Sequence, residues 1–308
     1  MKRILVVKLS SLGDLFHALP AVHRIREHTG AAVDWVCHDI YADLVRHFRP
    51  VDRALSFPRT SFRRDGAAFL RALREEEYDL ALDFQGLLKS AFVTRSARAR
   101  RRIGPSFSRE GSRLFYDAVS GPTDKNRHAV IECLDTARFL GCPEGAVEFP
   151  VDFPEFALDL PLPRIGLLPC SRRVEKNWPV ARFSEAARAI AAQREASFVV
   201  LGGKADRAAC AELTSAIGAG AHDWSGRTSI IELGGLIREL DVLITVDSGP
   251  MHIAAAVGTP TVAVFGPTDP VRTGPFGKQH RVIRESADLC ALSATPVAAA
   301  AIELLARR

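Results

Sequence analysis

The feature that most constrains the fold is an alternation that continues along the whole chain. Apolar runs of strand length are separated by longer segments in which apolar residues recur at helical spacing. This alternation is typical of parallel sheets, whose strands are buried on both faces by the intervening helices. The pattern therefore predicts an α/β fold of the doubly wound kind. The predicted strands cover residues 4–9, 33–37, 54–57, 80–84, 102–104, 165–168, 198–201, 242–246 and 261–265.

Helical segments are predicted between these strands and after the last of them. Pro20 lies inside the first helical segment and predicts a kink or a late helix start, because proline lacks the N–H that an inner helical turn needs. The predicted helices cover residues 15–25, 67–77, 87–96, 128–140, 181–193, 205–217, 230–239 and 251–257 and an alanine-rich tail at 295–308.

A proline-rich segment divides the chain into two halves. Five prolines fall between Cys142 and Arg164, where the helical period is lost, and this composition is typical of a linker. The 308 residues, of which 47% are hydrophobic, are enough for two cores. We predict domains at residues 1–155 and 156–292, and two doubly wound domains would enclose a cleft at the ends of their strands.

Charge and cysteine content narrow the function classes. A formal net charge of +5 is a mild bias, so it favours an anionic small molecule or surface over a nucleic-acid partner. Six cysteines without a CxxC pair predict reduced, mostly buried thiols and a cytosolic location. The first apolar run ends at Lys8, and no run reaches the length of a membrane span, so we expect neither a signal peptide nor a transmembrane segment.

The stretch KLSSLGDLFHALP, residues 8–20, follows the first predicted strand and carries an acid in an unexpected place. A strand that runs through small residues into a helix is where nucleotide-binding folds place a phosphate. Asp14 would repel a phosphate there. The turn therefore leaves two interpretations open: Asp14 is a favourable first-turn acid, or it acts on something other than the phosphate.

The stretch VDSGPMHIAAAVGTPTVAVFGPTDP, residues 246–270, is the strongest local signal for an anion site. A buried strand ends in a turn that opens a helix, where Gly249 permits close approach and Pro250 suits a first helical position. Ser248 and His252 would add side-chain donors to a diphosphate. The alternative is that Ser248 only caps the helix and His252 is a buried structural histidine.

Other nucleotide motifs are missing from the sequence. The chain has no GxGxxG after the first strand and no GxxxxGK[ST], so a dinucleotide dehydrogenase or a P-loop enzyme is disfavoured. It has no DxD, so a nucleotide sugar held by a metal has little support.

Two cationic clusters remain. The loop LLPCSRRVEKNWP, residues 167–179, follows the first strand of the second half and would lie beside the Ser248 turn if their strands are neighbours. An arginine-rich region at 95–113, with further arginines at 59–64, suits phosphate and carboxylate groups. The alternative for both clusters is a solvated loop or face with no specific ligand.

Four segments carry a resemblance that covers nearly the whole chain. They are KLSSLGDLFHALP (8–20), LDFQGLLKSA (82–91), EKNWP (175–179) and VDSGPMHIAAAVGTPTVAVFGPTDP (246–270). In this order they resemble family 9 glycosyltransferases, and among them the lipopolysaccharide heptosyltransferase I type. The resemblance implies GT-B architecture, with two Rossmann-like doubly wound domains facing a central cleft, acceptor on the first and nucleotide sugar on the second. It also implies that the last helix, 293–308, packs back on the first domain.

The resemblance assigns roles to residues of both halves. Asp14 falls on the proposed catalytic base, and Lys176 falls on the catalytic lysine that contacts the donor diphosphate. The donor-binding positions are Ser171, Lys176, Asp206, Thr228, Ser229, Asp247, Ser248, Gly249 and His252. The acceptor-binding positions, which match more loosely, are Ser10, Ser11, Arg59, Arg63, Lys89 and Arg109. Arg172 departs from the small hydroxyl residue of the pattern, which leaves the donor detail open.

The implied function is an inverting, metal-independent transfer of heptose from ADP-heptose to the Kdo region of lipid A. No cofactor and no metal are expected beyond the ADP-sugar substrate. The expected partners are a nucleotide sugar, an anionic lipid-linked sugar and, peripherally, the inner face of the cytoplasmic membrane, with no nucleic acid. The alternatives are the same mechanism with another nucleotide sugar or acceptor, a nucleotide-sugar epimerase of similar fold, or a non-catalytic nucleotide-sugar-binding protein.

Overall fold

The computed structural model describes residues 1–124 and 126–307, which form two compact units. The first unit is Met1–Asp152, and the second begins at Phe153 and runs to the end of the described chain. The boundary lies inside the proline-rich segment, three residues before the predicted one after residue 155. Val151 still belongs to the first unit, where it forms an antiparallel bridge with Phe48.

The first unit alternates strands and helices. Its strands are β1 (Arg3–Val7), β2 (Ala32–His38), β3 (Arg53–Phe57), β4 (Tyr78–Asp83), β5 (Ala99–Pro105) and β6 (Ala118–Ser120). Its helices are α1 (Leu12–Thr29), α2 (Ala42–Arg46), α3 (Phe62–Leu73), α4 (Leu88–Ser96) and α5 (Ala129–Phe139), with 3₁₀ turns at Asp39–Tyr41 and Ser112–Phe115.

The six strands of the first unit pair in parallel in the order β3-β2-β1-β4-β5-β6. The direction of winding reverses between β1 and β4, and such a switch point is where open α/β sheets bind ligands. Residues 4–7 of β1 are fully buried because helices cover both faces of the sheet.

The amino-terminal edge of this sheet is fixed by a buried charge. The Asp34 carboxylate accepts hydrogen bonds from Arg3 at 2.8 Å, from Arg53 at 3.0 Å and from the Tyr78 hydroxyl at 2.9 Å. A buried carboxylate with this many donors is a structural feature, since each donor offsets part of the cost of desolvation.

The second unit repeats the alternation. Its strands are β7 (Arg164–Leu168), β8 (Ser197–Val200), β9 (Ala221–Asp223), β10 (Val242–Val246), β11 (Thr261–Val264) and β12 (Arg281–Ile283). Its helices are α6 (Val180–Ala191), α7 (Arg207–Ile217), α8 (Ile230–Arg238), α9 (Gly249–Val257), α10 (Pro270–Thr273) and α11 (Thr295–Ala306), with 3₁₀ turns at Val174–Lys176 and Lys204–Asp206.

The strand order of the second unit is the same as that of the first. Its parallel sheet runs β12-β11-β10-β7-β8-β9, so the switch point lies between β7 and β10. The strands at the switch point are buried along their length except at Arg164. The predicted doubly wound class is thus observed in both units.

The last helix belongs to the core of the second unit. Within that unit α11 packs on α6, β10 and β11, and the packing of residues 293–308 on the first domain stays a prediction. Val297, Ala301 and Leu304 belong to the core of that unit, because an alanine-rich face lets the helix approach the sheet closely. Arg308 lies outside the described residues.

The predicted strands are all present, and the elements that sequence patterns missed are short. They are β6, β9 and β12, each of three residues, and the helices α2 and α10. The first helix begins at Leu12 and continues through Pro20, so a late start is not observed. Among the described residues, no helix combines the length and apolar composition needed to cross a membrane.

Candidate functional site

The switch point of the first unit joins the loops that follow β1 and β4. The Gln85 side-chain oxygen accepts hydrogen bonds from the backbone N–H groups of Leu9 and Ser10, both at 3.2 Å. The buried Lys8 ammonium donates to the Phe84 carbonyl at 2.7 Å. The loop after β4 therefore holds the loop after β1 in position.

Asp83, the last residue of β4, fixes the shape of its own loop. One carboxylate oxygen accepts from the N–H groups of Gln85 and Gly86 at 2.7 and 2.9 Å, and the other accepts from the Tyr116 hydroxyl at 2.7 Å. Complete burial raises the pKa of the Asp83 carboxyl, although these donors oppose that effect. Asp83 is thus a structural acid that orients Gln85.

Asp14 lies in the first turn of α1 and reaches back to the start of the helix. Its Oδ2 accepts from the Ser11 N–H and the Ser11 hydroxyl, both at 2.8 Å, and its Oδ1 lies 3.7 Å from the His17 Nδ1. The side chain is 39% exposed. Asp14 therefore makes the contacts of a first-turn acid, and both of its interpretations stay open.

The electrostatics of Asp14 keep it ionised. The partial desolvation of the Asp14 carboxyl would by itself raise its pKa, but the Lys8 ammonium and the His17 imidazole outweigh this effect and hold that pKa well below its usual range. The carboxylate is negative at every physiological pH. A second anion, such as a phosphate, is repelled from this helix start.

Two of the predicted acceptor-binding residues line one groove of about 660 Å³ in the first unit. They are Arg59 and Lys89. We call this feature the aromatic groove, and its lining is Phe57, Arg59, Phe62, Leu88, Lys89, Phe92, Glu110 and Phe115. Arg63 and Arg109 are exposed. Each stands next to a lining residue in the sequence but does not line the groove itself.

His38, at the end of β2, is a polar neighbour of this groove that the sequence analysis missed. Its Nε2 lies 3.4 Å from the Lys89 ammonium, which also lies 5.6 Å from the centre of the Phe57 ring. Burial and the adjacent Lys89 and Arg59 charges lower the pKa of His38 to about 4. The imidazole is therefore neutral at pH 7 and can accept a hydrogen bond from Lys89.

The switch point of the second unit carries a buried ion pair. The Lys176 ammonium lies 2.6 Å from Oδ2 of Asp247, which also accepts from the Thr268 hydroxyl at 2.6 Å. The two charged side chains are only 16% and 9% exposed. The structure thus brings together two predicted donor-binding residues from the loops after β7 and β10. It adds Thr268, which lies in the quoted motif but was given no role.

The start of α9 immediately follows Asp247. Ser248 is the N-cap residue, but its hydroxyl makes no capping hydrogen bond and lies 3.3 Å from the Thr245 hydroxyl. Ser248 thus occupies the N-cap position without a capping hydrogen bond from its side chain, and its role in donor binding stays a prediction. Gly249 begins the helix, and His252 is buried in its first turn. A helix start of this kind, with a cation beside it, suits an anion.

The remaining donor-binding candidates occupy separate loops of the second unit and have local partners. The Ser171 hydroxyl donates to the Arg173 carbonyl at 2.7 Å, and the Ser171 N–H donates to the Asn177 side chain at 2.7 Å. Asp206 accepts from the Gly203 N–H at 2.8 Å. These contacts shape the loops, so any contact with a nucleotide would be additional.

Thr228 and Ser229 precede α8 in the second unit. The Ser229 hydroxyl accepts from the Glu232 N–H at 3.2 Å, and the Ser229 N–H donates to the Glu232 carboxylate at 2.7 Å. This reciprocal pair is a capping box, which accounts for Ser229 structurally. The role of both residues in donor binding stays a prediction.

Metal ligands and thiols add no further site. Within residues 1–124 and 126–307, no three His, Cys, Asp or Glu side chains lie close enough together to hold a metal ion. The six cysteines are free thiols, as predicted, and four of them are buried.

Comparison with known proteins places the chain in a family. Residues 67–295 match the model of glycosyltransferase family 9 (heptosyltransferase). The chain is 28% identical to lipopolysaccharide heptosyltransferase 1 of Pseudomonas aeruginosa over 302 residues, which cover 90% of this chain and 82% of that protein. It is 35% identical to lipopolysaccharide heptosyltransferase 2 of Salmonella typhimurium over 239 residues, covering 69% and 67%.

A solved structure matches the fold over nearly the whole chain. The structure of E. coli heptosyltransferase WaaC with ADP superposes with a TM-score of 0.86 at 27% identity and covers 98% of this chain and 99% of that one. This match confirms the predicted GT-B class. The protein is a glycosyltransferase, and the chain belongs to glycosyltransferase family 9.

Proposed function

We propose that this glycosyltransferase transfers a heptose from ADP-heptose to the Kdo region of lipid A, with inversion and without a metal ion. The observation that carries the proposal is the pairing of Lys176 with Asp247 at the start of α9. The Lys176 cation is held in place, and the Ser248 side chain does not cap α9. Together these two features suit the diphosphate of a leaving ADP. The relatives named above are heptosyltransferases of lipopolysaccharide, which supports the sugar and the acceptor class.

The second unit would stabilise the leaving group. When the bond between the anomeric carbon and the diphosphate oxygen breaks, negative charge accumulates on ADP, and the Lys176 ammonium with the first N–H groups of α9 would bind it. Donors that are already in position contribute in this way without reorganisation during the reaction. This is the role that a divalent ion has in other nucleotide-sugar enzymes, so metal independence is part of the proposal.

The first unit would activate the acceptor. As the acceptor hydroxyl oxygen forms its bond to the anomeric carbon, its proton would pass to the Asp14 carboxylate. The low pKa of Asp14 makes it a weak base for a resting hydroxyl, but the hydroxyl becomes acidic as its bond to carbon forms. A positioned general base contributes about 10² to 10⁴ in rate, and the transition state is expected to have oxocarbenium character, as in glycosidases.

The acceptor would be held by cations of the first unit. Arg59 and Lys89 lie in the aromatic groove, with Arg63 and Arg109 exposed close by in sequence. Arginine and lysine suit the carboxylates and phosphates of an anionic lipid-linked sugar. We propose that these residues also hold the protein peripherally at the cytoplasmic face of the inner membrane, where each cation contributes about 1 kcal/mol.

The test is a donor panel with Kdo-bearing lipid A as acceptor, followed by the mass and anomeric configuration of the product. We expect transfer from ADP-heptose in the presence of EDTA and no transfer from UDP-glucose or GDP-mannose. Transfer from another donor would identify a different substrate, and release of free sugar without acceptor would indicate an epimerase or hydrolase. Activity that EDTA abolishes and Mg²⁺ restores would contradict metal independence.

A further inference from the structure

The aromatic groove is built from four elements of the first unit. Phe57 ends β3, Phe62 begins α3, and Leu88 and Phe92 lie on successive turns of α4. Phe115 closes the 3₁₀ turn that packs on α4. Most of the lining is therefore apolar. Its volume of about 660 Å³ falls in the range of about 300–1,000 Å³ that small-molecule sites usually have.

Three of the five apolar residues that line the groove are exposed to solvent. Phe62, Leu88 and Phe92 are 37%, 46% and 47% exposed. By contrast, Phe69, which lies about two turns after Phe62 in α3, is buried. Leu114, next to Phe115 in the chain, is 89% exposed. Single exposed apolar residues are ordinary, but a group that lines one groove marks a surface on which an apolar ligand binds.

The polar groups of the groove restrict the chemistry of that ligand. Arg59 and Lys89 supply positive charge, and Lys89 is oriented by the neutral imidazole of His38. The Glu110 carboxylate accepts from the Leu88 N–H at 3.1 Å and so belongs to the start of α4. The groove thus offers cations for an anionic head group and aromatic faces for an apolar chain, but few of the acceptors that a sugar's hydroxyl groups require.

We propose that the aromatic groove binds a hydrocarbon chain of an anionic lipid, with the head group on Arg59 and Lys89. Each CH₂ group that leaves water contributes about 0.8 kcal/mol, so a few buried carbons offset the ordering of the chain. The identification of that lipid as the acylated acceptor rests on the proposed function. The binding of an acyl chain does not.

The direct test measures binding without turnover. The probe is dansyl-undecanoic acid, an anionic fatty acid with a fluorescent label, displaced by laurate. We expect Phe92→Ser to weaken probe binding about tenfold or more, because it removes most of the ring area that one chain would cover. The matched control is Phe139→Ser, since Phe139 is 42% exposed on α5 of the same unit and lies outside the groove. Equal loss in both variants, or in neither, overturns the proposal.

A second arm separates the head group from the chain. Lys89→Ala should weaken displacement by laurate about tenfold or more but change displacement by the uncharged dodecanol by less than about twofold. Equal effects on both ligands overturn the assignment of the head group. Sedimentation of the parent and Phe92→Ser gives a further check. If the parent is a dimer and the variant a monomer, the groove binds a second copy of the chain and the proposal is wrong.

The transfer assay distinguishes this proposal from the proposed function. With acylated and fully deacylated acceptors that carry the same sugars, we expect Phe92→Ser to lower kcat/KM about tenfold for the acylated acceptor only. If the parent transfers to both acceptors and Phe92→Ser affects neither, the groove assignment fails and the proposed function stands. If neither acceptor is used while the dansyl probe still binds in the groove, the proposed function fails and the lipid site stands.

Discussion

The two switch points occupy the same place in one strand order but present different charged groups at their helix starts. In the first unit the loops after β1 and β4 place the Asp14 carboxylate at the start of a helix. In the second unit the loops after β7 and β10 place the Lys176 ammonium beside the start of another. Doubly wound folds bind ligands at the switch point, so we expect the loop residues of each unit to select its ligand.

The difference extends to how each helix start is satisfied. The start of α1 is covered by its own acid, because Asp14 accepts from Ser11. At the start of α9 the Ser248 hydroxyl, at the N-cap position, makes no capping hydrogen bond, and the acid before it, Asp247, pairs with Lys176. An acid of the chain therefore stands at the start of α1, whereas we expect the start of α9 to accept an external anion. This is the division expected if only the second unit binds a diphosphate.

The largest expected effect comes from removing the charge at the first switch point. Asp14→Asn keeps the size of the side chain but removes the basic carboxylate. If Asp14 is the general base, kcat should fall about 10²-fold or more while ADP affinity stays within about twofold. Single-turnover rates and calorimetric ADP binding measure the two quantities.

The same variant tests the alternative role of Asp14. A first-turn acid contributes about 0.3–1 kcal/mol to helix stability, so a purely structural Asp14 predicts a slightly lower melting temperature with near-normal turnover. A folded Asn variant that binds ADP and transfers sugar at the parental rate would remove Asp14 from the mechanism, and the contrast between the two switch points would then be structural only.

Lys176→Ala removes the cation at the second switch point and leaves the Asp247 carboxylate. We expect ADP affinity to fall about 10- to 100-fold, since a charge-assisted hydrogen bond to a shielded anion is worth about 1.5–3 kcal/mol. Stability should fall by about 1–3 kcal/mol because, among the described residues, Thr268 is then the one partner left to the Asp247 carboxylate.

The matched control for Lys176 lies in the same loop. Arg173 is exposed and pairs with Glu175 at 2.6 Å, and exposed pairs contribute about 0–1 kcal/mol. Arg173→Ala should therefore leave ADP affinity within about twofold. Equal loss of ADP affinity in both variants would mean that the loop acts through its total charge and that the buried pair has no special role.

Gln85→Leu tests whether the loop after β4 positions Asp14. The substitution keeps the volume but leaves the N–H groups of Leu9 and Ser10 without the oxygen that now accepts from both. Because a small displacement of a catalytic group costs rate, we expect kcat to fall about tenfold with KM and ADP affinity little changed. Gln85→Glu keeps an acceptor oxygen and should recover most of kcat. A Glu variant as slow as the Leu variant would argue against positioning.

The smallest expected effect is a dependence of stability on acid. The pKa of Asp14 is lowered in the folded protein, so the unfolded chain takes up this proton first as pH falls below about 4. The stability from Asp14 is therefore complete above that pH and declines below it. A loss of about 1 kcal/mol in the free energy of unfolding should make Asp14→Asn melt about 2–4 °C below the parent at pH 7. This difference in melting temperature should be smaller at pH 3. If the difference in melting temperature between parent and variant stays the same from pH 7 to pH 3, folding does not lower the pKa of Asp14.

Much of this fold is predictable from the sequence because its central strands are apolar on both faces. Runs such as ILVV in β1 and VLITV in β10 have no other stable environment than the middle of a covered sheet. The edge strands β9 and β12, with the sequences AHD and RVI, are short and partly exposed. These strands form because the neighbouring strand offers backbone hydrogen bonds. Their own residues do not indicate which strand will lie beside them.

The candidate site is predictable only in part, for a related reason. Asp14 and Lys176 stand in motifs, so their positions could be read from the chain. Gln85 acts across 75 residues of sequence on Ser10, and His38 meets Lys89 across 51. Such contacts depend on the order of strands in the sheet. The rule that parallel strands end at one edge would have suggested them once β1 and β4 were known to be neighbours.

The ion pair in the second unit has a consequence for selectivity. An ammonium without a partner would collect any small anion from solution, chloride and phosphate included. The Lys176 ammonium already has a carboxylate 2.6 Å away, and that carboxylate is attached to the same chain and cannot be diluted. An incoming group gains only the difference between its own contact and the one it replaces. If the second unit binds a diphosphate as proposed, Asp247 would compete with it for Lys176, so we expect a diphosphate with further contacts at α9 to bind and a lone monoanion not to bind.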